Sequence, residues 1–122
     1  MSMHIDLPWP HKYLNPNCRK HWSAIAPQKK KYRHACWALT FATRPHIGWV
    51  GPVHLWIEFI PPDRRLRDDD NMVASFKPGR DGVADALGID DRRFRTYHRV
   101  SELAGGIVRI RFTQEFQPPE GF

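Results

Sequence analysis

A chain of 122 residues is one domain by length, and its 41% hydrophobic content is enough for a single buried core. Nineteen Lys plus Arg against thirteen Asp plus Glu give a net charge of +6, and the pI lies near 9.7; that balance favours nucleic acid or an anionic surface as partner. No apolar run approaches the roughly 18 residues of a spanning helix, the opening Met1-Ser2-Met3-His4 is not a signal peptide, and two cysteines make no disulfide framework. A reducing cytoplasm with no membrane partner is the expected setting.

In chain order, His4 to Leu7 can form a short strand closed by the turn Pro8-Trp9-Pro10. Lys12 to Ala26 is polar, carries Asn15-Pro16-Asn17, and reads as a loop. Pro27 suits the first turn of a helix, and Gln28 to Thr43 follows with Tyr32, Ala35, Cys36, Leu39 and Ala42 at helical spacing. The opposite side carries Lys29, Lys30 and Arg33, a basic face. Cys18, His21, His34 and Cys36 contain zinc-ligand types, but residues two apart on a helix face away from each other, so His34 and Cys36 would not converge.

Arg44-Pro45 and Gly48 to Pro52 break the chain. Val53 to Ile60 then alternates with both sides largely apolar, which predicts a central strand ended by Pro61-Pro62. Asn71 to Leu87 has helical character, and Pro78-Gly79 within it predicts a kink or two short helices. After Gly88, Phe94 to Val100 and Ile107 to Phe112 read as two strands joined by a loop ending in Gly105-Gly106. The tail from Gln117, or from residue 113 at the earliest, is expected to be loose. The order β-α-β-α-β-β predicts one α+β domain, with two helices on a mixed or antiparallel sheet of about four strands.

Between the central strand and the second helix, Arg64, Arg65 and Arg67 lead into Asp68-Asp69-Asp70-Asn71, and Asp90-Asp91 returns about twenty residues later. Two carboxylates about 4 Å apart repel by roughly 4 kcal/mol at an effective dielectric near 20 unless a cation or proton relieves them. Magnesium prefers one or two carboxylates plus substrate phosphate. Acid amid arginine therefore suggests a metal site facing a phosphodiester. In an extended segment Asp68 and Asp70 would project together and Asp69 away; the plainer alternative is that Asp70 or Asn71 caps a helix and the acids pair with arginines. Asp90 and Asp91 would complete a three-carboxylate site only if the last strand pair brings their turn beside Asp68 and Asp70. Lys77 can neutralise charge on a phosphoryl oxygen, and arginines such as Arg64, Arg65 and Arg67 grip phosphate in a bidentate way.

Several of these segments together resemble the RusA family of Holliday-junction resolvases, which are often prophage-encoded. They are Leu7-Pro8-Trp9-Pro10, the run Pro62-Asp63-Arg64-Arg65-Leu66-Arg67 into Asp68-Asp69-Asp70-Asn71, Lys77 with Asp81, and Asp90-Asp91 before a strand. The resemblance spans residues 5 to about 100. It implies a homodimeric, Mg²⁺-dependent endonuclease (Mn²⁺ substituting) that cuts branched DNA in recombination and repair and leaves a 5′-phosphate and a 3′-hydroxyl. Asp68, Asp70 and Asp91 would be its metal-binding catalytic carboxylates, and Lys77 its catalytic lysine. Counted forward from Asp70, the lysine of the best-known member falls on Ala74; counted back from Asp81, it falls on Lys77, and a three-residue insertion near one helical turn reconciles the two. Lys29, Lys30 and Arg33, with Arg64, Arg65 and Arg67, would hold the DNA backbone, and no organic cofactor is expected. The rival expectations are a non-catalytic junction-binding protein, an RNA-directed module, and a scaffold whose acids are caps.

Overall fold

Val53–Ile60 forms strand β2, and its register explains most of the architecture. It pairs antiparallel with β4 (Ile107–Thr113) and parallel with β3 (Phe94–Val100), while β4 also pairs antiparallel with β1 (Ile5–Pro8). The strand order is therefore β1-β4-β2-β3, a mixed sheet with β2 central. Two helices, α1 (Trp22–Thr43) and α2 (Asp69–Leu87), pack against each other and over one face. The computed structural model describes residues 3–122; Met1 and Ser2 of the opening stretch lie outside them. The expected single α+β domain of four strands and two helices is the one observed.

The last two strands are not a pair. β2 lies between β3 and β4, so the loop after β3 crosses the end of β2. There Ser101 N–H donates to Phe59 O at 2.8 Å and Gly105 N–H to Pro61 O at 2.7 Å. β2-α2-β3 is thus a parallel pair with a helical crossover.

The helices differ from expectation at their ends. Part of the expected loop Lys12 to Ala26 is ordered: Lys12–Leu14 is a 3-10 turn, and α1 begins at Trp22. His21 caps it, with Nδ1 accepting from Ser23 N–H at 3.2 Å. Pro27 lies inside the helix rather than in its first turn. The buried seam is Tyr32, Cys36 and Thr40, a single i+4 ridge, whereas Leu39 and Ala42 of the expected stripe face outward. The ridge meets α2 at two glycines. A Cβ on Gly82 would lie 2.1 Å from Arg33 O, and one on Gly79 2.6 Å from the Tyr32 ring, so the helix backbones are in contact there. α2 also runs unbroken through Pro78; the hydrogen bond that proline omits would have gone to Ala74, an exposed residue.

Val53, Leu55, Ile57 and Phe59 join Ile5, Leu7, Val108, Ile110, Phe76 and Val83 in the core beneath the helices. On the other face of the sheet the C-terminal tail is packed down rather than loose. Phe116 stacks on Tyr97 with ring centroids 5.1 Å apart, Tyr97 stacks on Trp56 at 4.3 Å, and Arg99 donates to Phe122 O at 2.8 Å and Gly121 O at 3.0 Å. Arg99 also holds Glu58 at 2.7 Å. The tail thereby covers charged and aromatic groups that β2 places opposite the core.

Candidate functional site along helix α2

The segment after β2 is organised around Asp63. Its carboxylate accepts from Arg65 N–H at 3.1 Å and pairs with Arg67 at 3.0 Å; the Arg67 guanidinium, followed by the Arg65 amide, holds the Asp63 carboxyl below its ordinary range. Arg67 is turned inward and lies over the Trp9 ring at 5.7 Å. Arg64 stays exposed. The chain then enters α2 through Asp68, not Asp70 or Asn71. Asp68 is the N-cap and accepts from Asp70 N–H at 2.9 Å, so Asp69 and Asp70 belong to the first helical turn. The extended geometry expected for the three acids is therefore replaced by a cap followed by helix. Asp69 does diverge from the other two, towards His98 on β3 at 3.6 Å.

Further along, residues seven apart share a helix face, which aligns Asp70 with Lys77 and places Asp81 and Asp85 next in the row. Lys77 Nζ donates to Asp81 at 2.6 Å and to Asp91 at 3.2 Å. Those carboxylates, Asp81 foremost and against an opposing desolvation, raise the Lys77 pKa above its ordinary value. Arg33 of α1 makes a two-pronged pair with Asp85 at 2.7 and 3.0 Å. Lys29, Lys30 and Arg33 line a cleft of about 610 Å³ together with Lys77 and Asp81. The basic face of α1 therefore borders the acid row of α2.

Asp91 reaches this row because it opens a 3-10 turn, Asp91–Arg93, just before β3. Asp90 caps that turn and is occupied locally: Arg92 grips its carboxylate at 2.8 Å, and the Arg92 N–H donates at 2.8 Å. The guanidinium first and the amide second lower the Asp90 pKa to about 2. Asp91 is thus the member of the pair that meets Lys77. Arg80 is the residue that local sequence reading passed over. Its Nη2 donates to Asp91 O at 3.2 Å and its guanidinium packs on Phe94 at 5.7 Å, tying the turn to α2. Its position one residue before Asp81 was the available signal.

Asp68 and Asp70 are not drawn into this network. α2 runs back along a parallel strand pair, and β3 starts beside Val53, the start of β2. The Asp90-Asp91 turn therefore approaches α2 from the opposite end to Asp68. Asp70 lies about 10 Å along the helix axis from Lys77. Among the described residues no three His, Cys, Asp or Glu side chains converge as a metal-holding group. Yet among the described residues Asp68 and Asp70 are also the only aspartates with no basic side chain at ion-pair distance; Asp69 has only His98, a cation only when protonated, and Asp6, Asp63, Asp81, Asp85, Asp90 and Asp91 each have an arginine or lysine. Unneutralised hard oxygens in a chain of net charge +6 are the donor type that suits a hard cation. Cys36, by contrast, is buried, and desolvation pushes its thiol up to about 12.

No family model matches the chain. It is 50% identical over 105 residues to a protein of Xylella fastidiosa (strain Temecula1) described only as uncharacterized; the match covers 80% of this chain and 66% of that protein. The chain thus spans slightly less than two thirds of that relative's length. None of the helices among the described residues is long and apolar enough to cross a membrane.

Proposed function

We propose that the protein is a structure-selective DNA endonuclease of the RusA type, hydrolysing phosphodiesters at four-way junctions as a homodimer. The observation that carries this reading is the placement of two carboxylates without basic partners, Asp68 and Asp70, at the head of a helix. That helix's same face continues into Lys77 and is flanked by Lys29, Lys30 and Arg33. Asp68 and Asp70 would hold Mg²⁺, which supplies a bound water of lowered pKa and charge stabilisation at the phosphoryl group, while Asp91 stays on Lys77. Lys77, kept protonated by Asp81 and Asp91, would offer positive charge to a phosphoryl oxygen. The lysines and arginine of α1, with the exposed Arg64 and Arg65 just before Asp68, would hold the strand backbone through a salt-sensitive contact. A two-fold dimer would present two such sites and give paired nicks.

A second reading, a junction-binding protein without hydrolysis, is favoured by one feature: the Asp91 carboxylate is engaged by Lys77 and stands apart from Asp68 and Asp70. One assay separates the two. A four-way DNA junction is incubated with Mg²⁺ and with EDTA, using wild type and Asp70→Asn. Paired, Mg²⁺-dependent nicks that fall on the order of 10³-fold in the mutant, with junction affinity little changed, support the nuclease. Tight binding with no cut in either condition supports the second reading. Preferential binding of structured RNA over the junction would replace both.

A further inference from the structure

A cavity of about 310 Å³ opens at the head of α2; Asp68 and Arg65 border it, and its other walls have no role in the chemistry above. Trp9, Phe59 and Met72 give it an apolar lining, and Asn71 and Asn15, whose Oδ1 also accepts from Asn17 N–H at 2.8 Å, are its amide residues. Lys12 and Arg65 supply its cations, and the Arg67 guanidinium, already paired with Asp63 at 3.0 Å, lies over the indole. Trp9 is braced edge-on against Phe59 with centroids 6.1 Å apart, and its neighbour Pro8 accepts the Tyr32 hydroxyl at 2.6 Å, so the indole stands on core structure. The volume lies at the small end of ligand sites, roughly 300 to 1,000 Å³. A cavity of that size suits one flat ring and excludes a peptide or a duplex.

The three kinds of wall have one common ligand. An aromatic surface takes a π-face, carboxamides pair with a heterocycle's hydrogen-bonding edge, and cations at the mouth take the phosphate joined to it. We propose that this cavity receives a single unpaired nucleobase of a DNA strand, next to the phosphate that lies at Asp68. The inference rests on the nuclease reading for its substrate and adds to it a device for choosing where to cut. A base inside a duplex cannot enter; a base at a branch point is the cheapest to unstack. Recognition of branched DNA would then come partly from the cost of emptying a stack, and any sequence preference from the edge that Asn15 and Asn71 meet.

The test is a coupling measurement. Junction affinity is measured in EDTA for intact four-way junctions and for junctions carrying one abasic site in turn at each nucleotide flanking the crossover. Each is bound by wild type and by Trp9→Leu. Base stacking on an aromatic residue corresponds to a loss of about 10-fold in affinity. One abasic position is expected to weaken wild type by that factor and to leave Trp9→Leu unaffected, so that the two losses do not multiply. Trp9→Phe keeps a ring against Phe59 and serves if the leucine variant does not fold; with it the abasic penalty should shrink several-fold. Losses that multiply at every position, or an abasic penalty unchanged in Trp9→Phe, overturn the base cavity while Mg²⁺-dependent cutting leaves the nuclease reading intact. Failure of wild type to bind junctions at all overturns both.

Discussion

The two ends of helix α2 handle charge in opposite ways. From Lys77 onward every acid has a basic partner: Asp81 and Asp91 share Lys77, and Asp85 holds Arg33. At the head, Asp68 and Asp70 have none among the described residues, although Arg65 and Arg67 are close in sequence and Arg67 is spent on Asp63. Folding accounts for part of the head. A capping oxygen contributes about 1 kcal/mol, and acids in a first turn add about 0.3 to 1 kcal/mol through the helix dipole. A serine cap would serve the first purpose, and neither purpose calls for three acids in a row. The paired half is therefore explained by stability, whereas the head holds charge that the fold itself leaves uncompensated.

The largest expected effect comes from removing the platform under the paired half. Gly82→Val would drive a side chain into the Arg33 carbonyl, where even a Cβ would stand at 2.1 Å. Parting α1 from α2 should cost about 3 kcal/mol, and thermal denaturation should show Tm about 10 °C lower. A variant melting within 2 °C of wild type would mean that the helices do not rely on this contact. Next in size is the response of the head to metal. At Mg²⁺ tenfold above its Kd, linkage predicts about 1.4 kcal/mol of added stability, a rise in Tm near 5 °C. Asp70→Asn should abolish that rise. A wild-type Tm indifferent to Mg²⁺ would reduce the head to cap and dipole alone and erase its difference from the rest of the helix.

Much of this contrast was legible in the residues, for identifiable reasons. Alternation located β2, and the acid run leading into Asn71 marked the head of the second helix. Asp68 as the cap was missed because three adjacent acids offer three candidate caps and no local rule chooses among them. The start of α1 was missed because histidine, which is not among the usual capping residues, holds it. Pro78 suggested a break that core contacts on both sides of it, Phe76 and Val83, override. The partner of Asp91 depended on β2 separating β3 from β4, a non-local pairing that hydropathy of single strands does not encode. The tail was expected to be loose on composition, yet Arg99, reading outward from the sheet, binds its carbonyls.

The same isosteric change made at each end of α2 sharpens the comparison most finely. Asp81→Asn strips Lys77 of its nearest partner and should lower stability by about 0.5 kcal/mol, the usual size for a pair with an exposed member. Asp70→Asn loses some dipole interaction but relieves repulsion from Asp68 and Asp69, so its Tm should stay close to wild type without Mg²⁺. The Asp81 effect carries a pH signature. Because the folded pKa of Lys77 is raised above the unfolded value near 10.4, its contribution is fully present below that value and is lost only as pH rises through the folded pKa. Asp90 titrates at the other extreme: its pKa of about 2 means its contribution is present above about 4 and is lost as pH falls through 2. Melting curves of wild type and Asp81→Asn between pH 6 and 9 should therefore run parallel. A gap that closes towards pH 9 would mean that Lys77 sheds its proton within that window, making it a group able to exchange protons during catalysis rather than a fixed positive charge.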